Sequence, residues 1–113
     1  MKLDHPLAEE LVELIAQRFR ALADPTRIKL LDRLREGEAS VHELTDAVGS
    51  SQQNVSKHLG VLHHAGIVGR RRSGNYVLYF VVDDGVYRLC ETVCGSLREQ
   101  LDSLQRVVAP VGG

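Results

Sequence analysis

Apolar residues recur along the first half of the chain three or four positions apart, the rhythm of helices with one buried side. After Pro6, Leu7, Leu11, Leu14, Ile15, Phe19 and Leu22 follow it with Glu9, Glu10, Glu13 and Arg18 between them, which predicts a first amphipathic helix over about 7–22. Asp24-Pro25 supplies an N-cap followed by proline at the first helical position, and Ile28, Leu30, Leu31 and Leu34 carry a second helix as far as Gly37. Ser40-Val41-His42-Glu43 has the form of a capping box, in which a hydroxyl and a carboxylate each satisfy a free backbone N–H. A short third helix therefore starts there, with Val41, Leu44 and Val48 inward, and stops at Gly49. A fourth follows at once, capped by Ser51, with Val55, Leu59 and Leu62 facing the core and Gly66 at its end.

Two short helices joined by a glycine-containing turn, the second with many polar side chains, predict a helix-turn-helix over about 40–65. Beyond Gly66 the pattern changes to Ile67-Val68-Gly69-Arg70-Arg71-Arg72, Ser73-Gly74-Asn75 and Tyr76-Val77-Leu78-Tyr79-Phe80-Val81-Val82, a β-hairpin over about 67–82. Asp83-Asp84 caps a last helix over about 84–108, marked by Val86, Cys90, Val93, Leu97, Leu101, Leu104 and Val108, with Leu89 and Cys94 widening its apolar side. The first and last helices carry more apolar surface than so small a core can cover, so both are expected to pack against a second chain. The expected fold is mainly α with a small β-hairpin: a winged helix-turn-helix in the order α-α-α-α-β-β-α, a single domain over 1–113 and a homodimer through its first and last helices. Ala109 to Gly113 reads as a loose tail.

The length suits one hydrophobic core, and Trp is absent, which suits helices packed by Leu, Val and Ile. No apolar run reaches the roughly 18 residues of a membrane span, and the N-terminus lacks a signal-peptide stretch, so a cytoplasmic protein is expected. Two cysteines make no disulfide framework there and leave redox or metal chemistry open. A net charge of −1 argues against a nucleic-acid partner until its distribution is considered. Between Ala47 and Val82 there is no Asp or Glu, whereas Lys57, Arg70, Arg71 and Arg72 give that window +4 and leave −5 for the rest. One surface suited to phosphates and another that keeps the protein in solution follow from this. No nucleophile-base pair, phosphate loop or paired acids point to an enzyme.

The wording of these segments resembles the ArsR/SmtB family of transcriptional repressors. Leu22-Ala23-Asp24-Pro25-Thr26-Arg27 is similar to the family's LADPTR opening, and Val41-His42-Glu43-Leu44 to the start of its third helix. Ser51-Gln52-Gln53-Asn54-Val55-Ser56-Lys57-His58-Leu59 resembles its recognition helix, and Leu62 to Val68 the exit from it. The resemblance spans roughly Ala16 to Gln105. It implies a homodimeric repressor of a nearby transport, detoxification or stress operon, released from double-stranded operator DNA by a metal ion or reactive species.

In a helix-turn-helix the first turn of the second helix enters the major groove, where amides pair with adenine edges. Ser51, Gln52, Gln53, Asn54, Ser56, Lys57 and His58 are the candidates there, with Gln52 and Gln53 for bases and Ser56 and Lys57 for phosphates. His58 lies on the margin of the apolar face, so supporting the helix is an equally open role, and helix-end support is the expectation for His63 and His64. Strand alternation puts Arg70 and Arg72 on one face and Arg71 on the other, so the first two, with Asn75 at the tip, are expected to reach DNA. A solvated edge that deters aggregation is the alternative.

The resemblance implies a Cys-x-Cys pair at the third helix for soft ions, but Ser40 and His42 stand there; the Asp and His ligands of its zinc branch are also missing, since no His follows His64. Cys90 and Cys94 remain, four apart on one helix face, able to grip As(III), Cd, Zn or a reactive sulfur species, or simply to pack as small hydrophobes. A lower-ranked metal site combines His5, His42 and Glu43. A repressor with no small inducer, and a protein-interaction module that binds no DNA, complete the alternatives.

Overall fold

The computed structural model describes Leu3 and residues 5–108. The expected tail from Ala109 to Gly113 lies outside the described residues. The elements run α1 (Glu9–Leu22), α2 (Pro25–Leu34), β1 (Ala39–Ser40), α3 (Val41–Val48), α4 (Gln52–His64), β2 (Val68–Ser73), β3 (Tyr76–Val81) and α5 (Gly85–Val108). Two compact units make up the chain, one up to Asp83 and one from Asp84 onward.

In the first unit, Asp24 caps α2 by accepting from the backbone N–H groups of Thr26 (2.8 Å) and Arg27 (3.1 Å), with Pro25 at the position where a missing N–H costs nothing. Ser40 and Glu43 form the reciprocal capping box at the start of α3, at 3.1 and 3.2 Å. The core gathers Leu30, Leu31 and Leu34 of α2, Leu44 of α3, and Val55, Leu59 and Leu62 of α4 beneath Ile67, Val68 and Tyr79. Burying each large side chain is worth roughly 1.5–3 kcal/mol, so this cluster is what fixes α4 against α2 and α3.

The sheet has three antiparallel strands in the order β1-β3-β2, one more than the hairpin predicted. Ala39 pairs with Tyr79 and Ser40 with Leu78. Two residues are too few to show a period of two, and Ser40 already reads as a helix cap, so the sequence conceals this strand. The wing turns at Gly74-Asn75, where Gly74 takes φ +59° and Asn75 stays at negative φ. A two-residue hairpin needs such a left-handed residue to match the twist of its strands. α1 buries only Ala21 and Leu22, and Leu14 and Phe19 stay exposed. Arg18 forms an ion pair with Asp83, just beyond β3.

The second unit is α5, a helix of 24 residues. Val93, Leu97, Leu101 and Leu104 all stand exposed on it. No helix among the described residues is long and apolar enough to cross a membrane.

Candidate nucleic-acid interface

The turn between α3 and α4 is set by Gly49, whose φ of +68° is left-handed and whose N–H reaches Thr45 O at 3.0 Å. The helix is thereby closed and the chain turned at once into α4. Ser51 Oγ accepts from the backbone N–H of Asn54 at 3.1 Å, and Asn54 Nδ2 donates back to Ser50 Oγ at 2.7 Å. Ser51 and Asn54 are thus engaged within the turn. Gln52, Gln53, Ser56 and Lys57 stand exposed on the first two turns of α4, opposite the buried Val55 and Leu59.

His58 belongs to a different environment. Its side chain is only 12% exposed, with Nδ1 3.0 Å from Arg27 Nη1 and 3.8 Å from Asp24 Oδ1. A guanidinium can only donate, so in this contact Nδ1 is the acceptor. Arg27 also donates from Nε to Ala21 O at 2.6 Å and from Nη2 to Arg20 O at 3.1 Å. One side chain therefore ties the last carbonyls of α1 to the middle of α4. The backbone N–H of Arg27, aided by the nearby His58 ring and the Thr26 N–H, holds the Asp24 carboxyl below its ordinary value. The sequence alone assigns Arg27 no role: it stands in the LADPTR segment, but no periodicity signals a contact across 31 positions.

In the wing, β2 and β3 pair Arg70 with Tyr79, Arg71 with Leu78 and Arg72 with Val77. Arg71 donates from Nε and Nη2 to both carboxylate oxygens of Glu38, the Nε contact at 2.8 Å. This fork lowers the carboxyl pKa of Glu38 and raises that of the Arg71 guanidinium. Arg70 and Arg72 point to the other face and, like Lys57, form no ion pair among the described residues. Asn75 is exposed at the tip.

His42 and Glu43, considered for sensing, each have another partner. His42 Nε2 lies 3.5 Å from Asp46, and Glu43 is committed to the capping box, whose backbone and hydroxyl donors on Ser40 hold its carboxyl pKa down. Among the described residues no three His, Cys, Asp or Glu side chains cluster so as to hold a metal ion, His5 included. Cys90 and Cys94 are free thiols on α5, the first half-buried and the second exposed.

The profile of the family described as "Bacterial regulatory protein, arsR family" matches residues 24–69, from the cap of α2 into β2. An HTH-type transcriptional regulator of Mycobacterium tuberculosis, Rv0081, is 41% identical over 83 residues, 73% of this chain and 73% of its own. The chain belongs to the arsR family. The crystal structure of Rv0081 superposes on this arsR-family protein with a TM-score of 0.76 at 37% identity, covering 89% of this chain and all of that one. The HTH-type transcriptional repressor SmtB of the same species is 44% identical over 78 residues, 69% of this chain but only 58% of the repressor's length. The homodimeric winged helix-turn-helix DNA-binding domain of Mb0332 from Mycobacterium bovis superposes with a TM-score of 0.74 at 28% identity, over 88% of this chain and 95% of that one. The winged helix-turn-helix fold is thereby shown, and the family is one of regulators rather than enzymes. Cys90 and Cys94 lie outside the segment matched by the family profile.

Proposed function

We propose that this protein is a homodimeric, sequence-specific operator-binding repressor working in the cytoplasm, where the DNA is. The observation that carries this reading is the exposure of Gln52 and Gln53 on the first turn of α4 within a stretch free of acids, beside two wing arginines without carboxylate partners among the described residues. Gln52 and Gln53 read base edges in the major groove; Ser56, Lys57, Arg70, Arg72 and Asn75 hold phosphates or line the adjacent minor groove. Ser51, Asn54 and His58 hold α4 at the angle this requires. The exposed Leu14 and Phe19 of α1 and the exposed stripe of α5 support dimerisation, as does the homodimer of the Mb0332 domain. Two-fold symmetry then presents two copies of α4 to half-sites about one helical turn apart. Mobility shift with the DNA upstream of the protein's own gene tests the proposal: retention resistant to excess scrambled duplex supports it, equal competition by both duplexes overturns sequence-specific reading, and no retention at all leaves the interaction-module reading.

A second reading concerns release from DNA. The exposure of Cys94 and its place one turn from Cys90 favour thiol sensing on α5. Two thiolates are half of a tetrahedral set, and one chain supplies no third ligand among its described residues. Cd or Zn would therefore need both copies of the pair, one from each protomer, and three-coordinate As(III) a thiol from the partner, whereas a reactive sulfur species would need only one thiol. Metal stoichiometry and operator release by wild type and Cys90→Ser/Cys94→Ser decide it, and identical responses remove the thiols from the mechanism.

A further inference from the structure

Between α1 and the outer face of α4 lies an open cleft of about 520 Å³, reached on the α4 side by Lys57, Gly60, Val61 and His64. Arg20, Arg27, Lys57 and His64 line it with Gln17 and a few small apolar residues, and no carboxylate is among them. Gly60 also lines it, in the middle of α4 at an ordinary helical φ, where glycine weakens a helix relative to alanine. A Cβ at Gly60 would meet nothing within 4 Å, so packing inside the chain does not call for the glycine. Asp24 interacts with Arg27 from outside the lining, but no acid faces the cleft itself, and space kept open beside Arg20, Arg27 and Lys57 fits a ligand with negative charge.

Arg27 links this cleft to α4. The guanidinium that lines the cleft also holds Ala21 O, Arg20 O and His58 Nδ1. A small anion offers that guanidinium stronger, charge-assisted hydrogen bonds than a neutral carbonyl or imidazole does. Drawn toward an anion, Arg27 would release His58 and the end of α1 together.

We propose that the cleft binds a small organic anion, a phosphate or carboxylate on a compact apolar body, and that occupancy lowers operator affinity by drawing Arg27 off His58. The regulatory half rests on the operator-binding reading above; the binding half does not. A ligand shifts an equilibrium only by its differential affinity for the two states, and the Arg27–His58 contact is the element that differs between them here.

Phenyl phosphate is the probe, titrated into the 15N-labelled full chain, with phenol and sodium chloride at matched ionic strength as controls. Saturable shifts at the Gly60 amide and the Arg27 Nε–H, with a dissociation constant of about 1 mM, are expected. Gly60→Leu fills the cleft and should weaken binding about tenfold or more, and Arg20→Gln, at an exposed position, should weaken it about fivefold. In fluorescence anisotropy, phenyl phosphate should weaken operator binding by wild type about fivefold and by Gly60→Leu not at all. Equal shifts with phenol or salt, or undiminished binding by both variants, would overturn the proposal. So would loss of operator affinity in Gly60→Leu without any ligand, because the cleft would then hold a DNA phosphate. If the protein bound no operator, the repressor reading would fall alone, and the titration would still decide whether the cleft binds anions.

Discussion

Glu38 holds Arg71 with both of its carboxylate oxygens, across the sheet from the face that carries Arg70 and Arg72. Three consecutive arginines thus have two different roles. Removing Arg70 or Arg72 should weaken binding to every duplex and reduce the salt slope by about 0.9 for each phosphate no longer neutralised. Arg71→Ala should leave that slope unchanged. Salt titrations of the three alanine variants on one duplex check it, and an unchanged slope for Arg72→Ala would exclude that residue from the DNA interface.

Base reading is separable from phosphate holding. Gln52→Ala or Gln53→Ala should cost about 1–3 kcal/mol on the preferred operator and little on scrambled DNA, because the absence of a bidentate pair removes discrimination rather than attraction. Competition between operator variants measures this directly.

The Arg27–His58 contact predicts the opposite signature. His58→Ala leaves Arg27 Nη1 without its imidazole acceptor in a part-buried place, a loss of about 1–3 kcal/mol in stability. Because the variant lowers the fraction of chains with α4 correctly folded, operator and scrambled duplex should both lose affinity, in step with the loss of stability. Thermal melts and paired titrations test it; selective loss on the operator alone would instead make His58 a base contact.

Acid should destabilise the fold through three carboxylates. Asp24, Glu38 and Glu43 are each held below their ordinary values of 3.8, 4.5 and 4.5, chiefly by the Arg27 backbone N–H, the Arg71 side chain and the Ser40 backbone N–H respectively. A carboxyl whose folded pKa is depressed adds stability above its unfolded pKa and loses it as pH falls through the folded one. The melting temperature should therefore be level above about pH 5 and decline below it. Asp24→Asn should start lower and decline less steeply, which a melting series in pH would show.

Dimerisation can be tested on α5 without touching α4. Leu97→Glu/Leu101→Glu places charge in the exposed apolar stripe, so sedimentation should show monomers where wild type gives dimers. Operator binding should fall with it, because two half-sites would no longer be held together. A dimer that survived both substitutions would place the interface elsewhere.

Periodicity and caps locate every helix in the sequence because those signals are local: Asp24, Ser40, Gly49 and Ser51 each act within four residues of themselves. β1 escapes, since Ala39 and Ser40 become a strand only by meeting Tyr79 and Leu78. The outward amides of α4 are visible from the buried Val55, Leu59 and Leu62 beside them, and the split among the wing arginines from strand alternation. Glu38 as the partner of Arg71, and Arg27 as the link from α1 to His58, are invisible, because tertiary packing brings together positions 33 and 31 residues apart. The extra apolar surface of α1 and α5 shows in the pattern, while what covers it does not.

Sequence-specific reading by α4 is tested most directly by the ratio of affinities for the protein's own upstream duplex and a scrambled duplex of equal length, at physiological salt. A ratio of about a thousand or more is expected for wild type, falling sharply in Gln52→Ala/Gln53→Ala while scrambled-duplex affinity holds. A ratio near one for wild type, or one that the double substitution leaves unchanged, would contradict it.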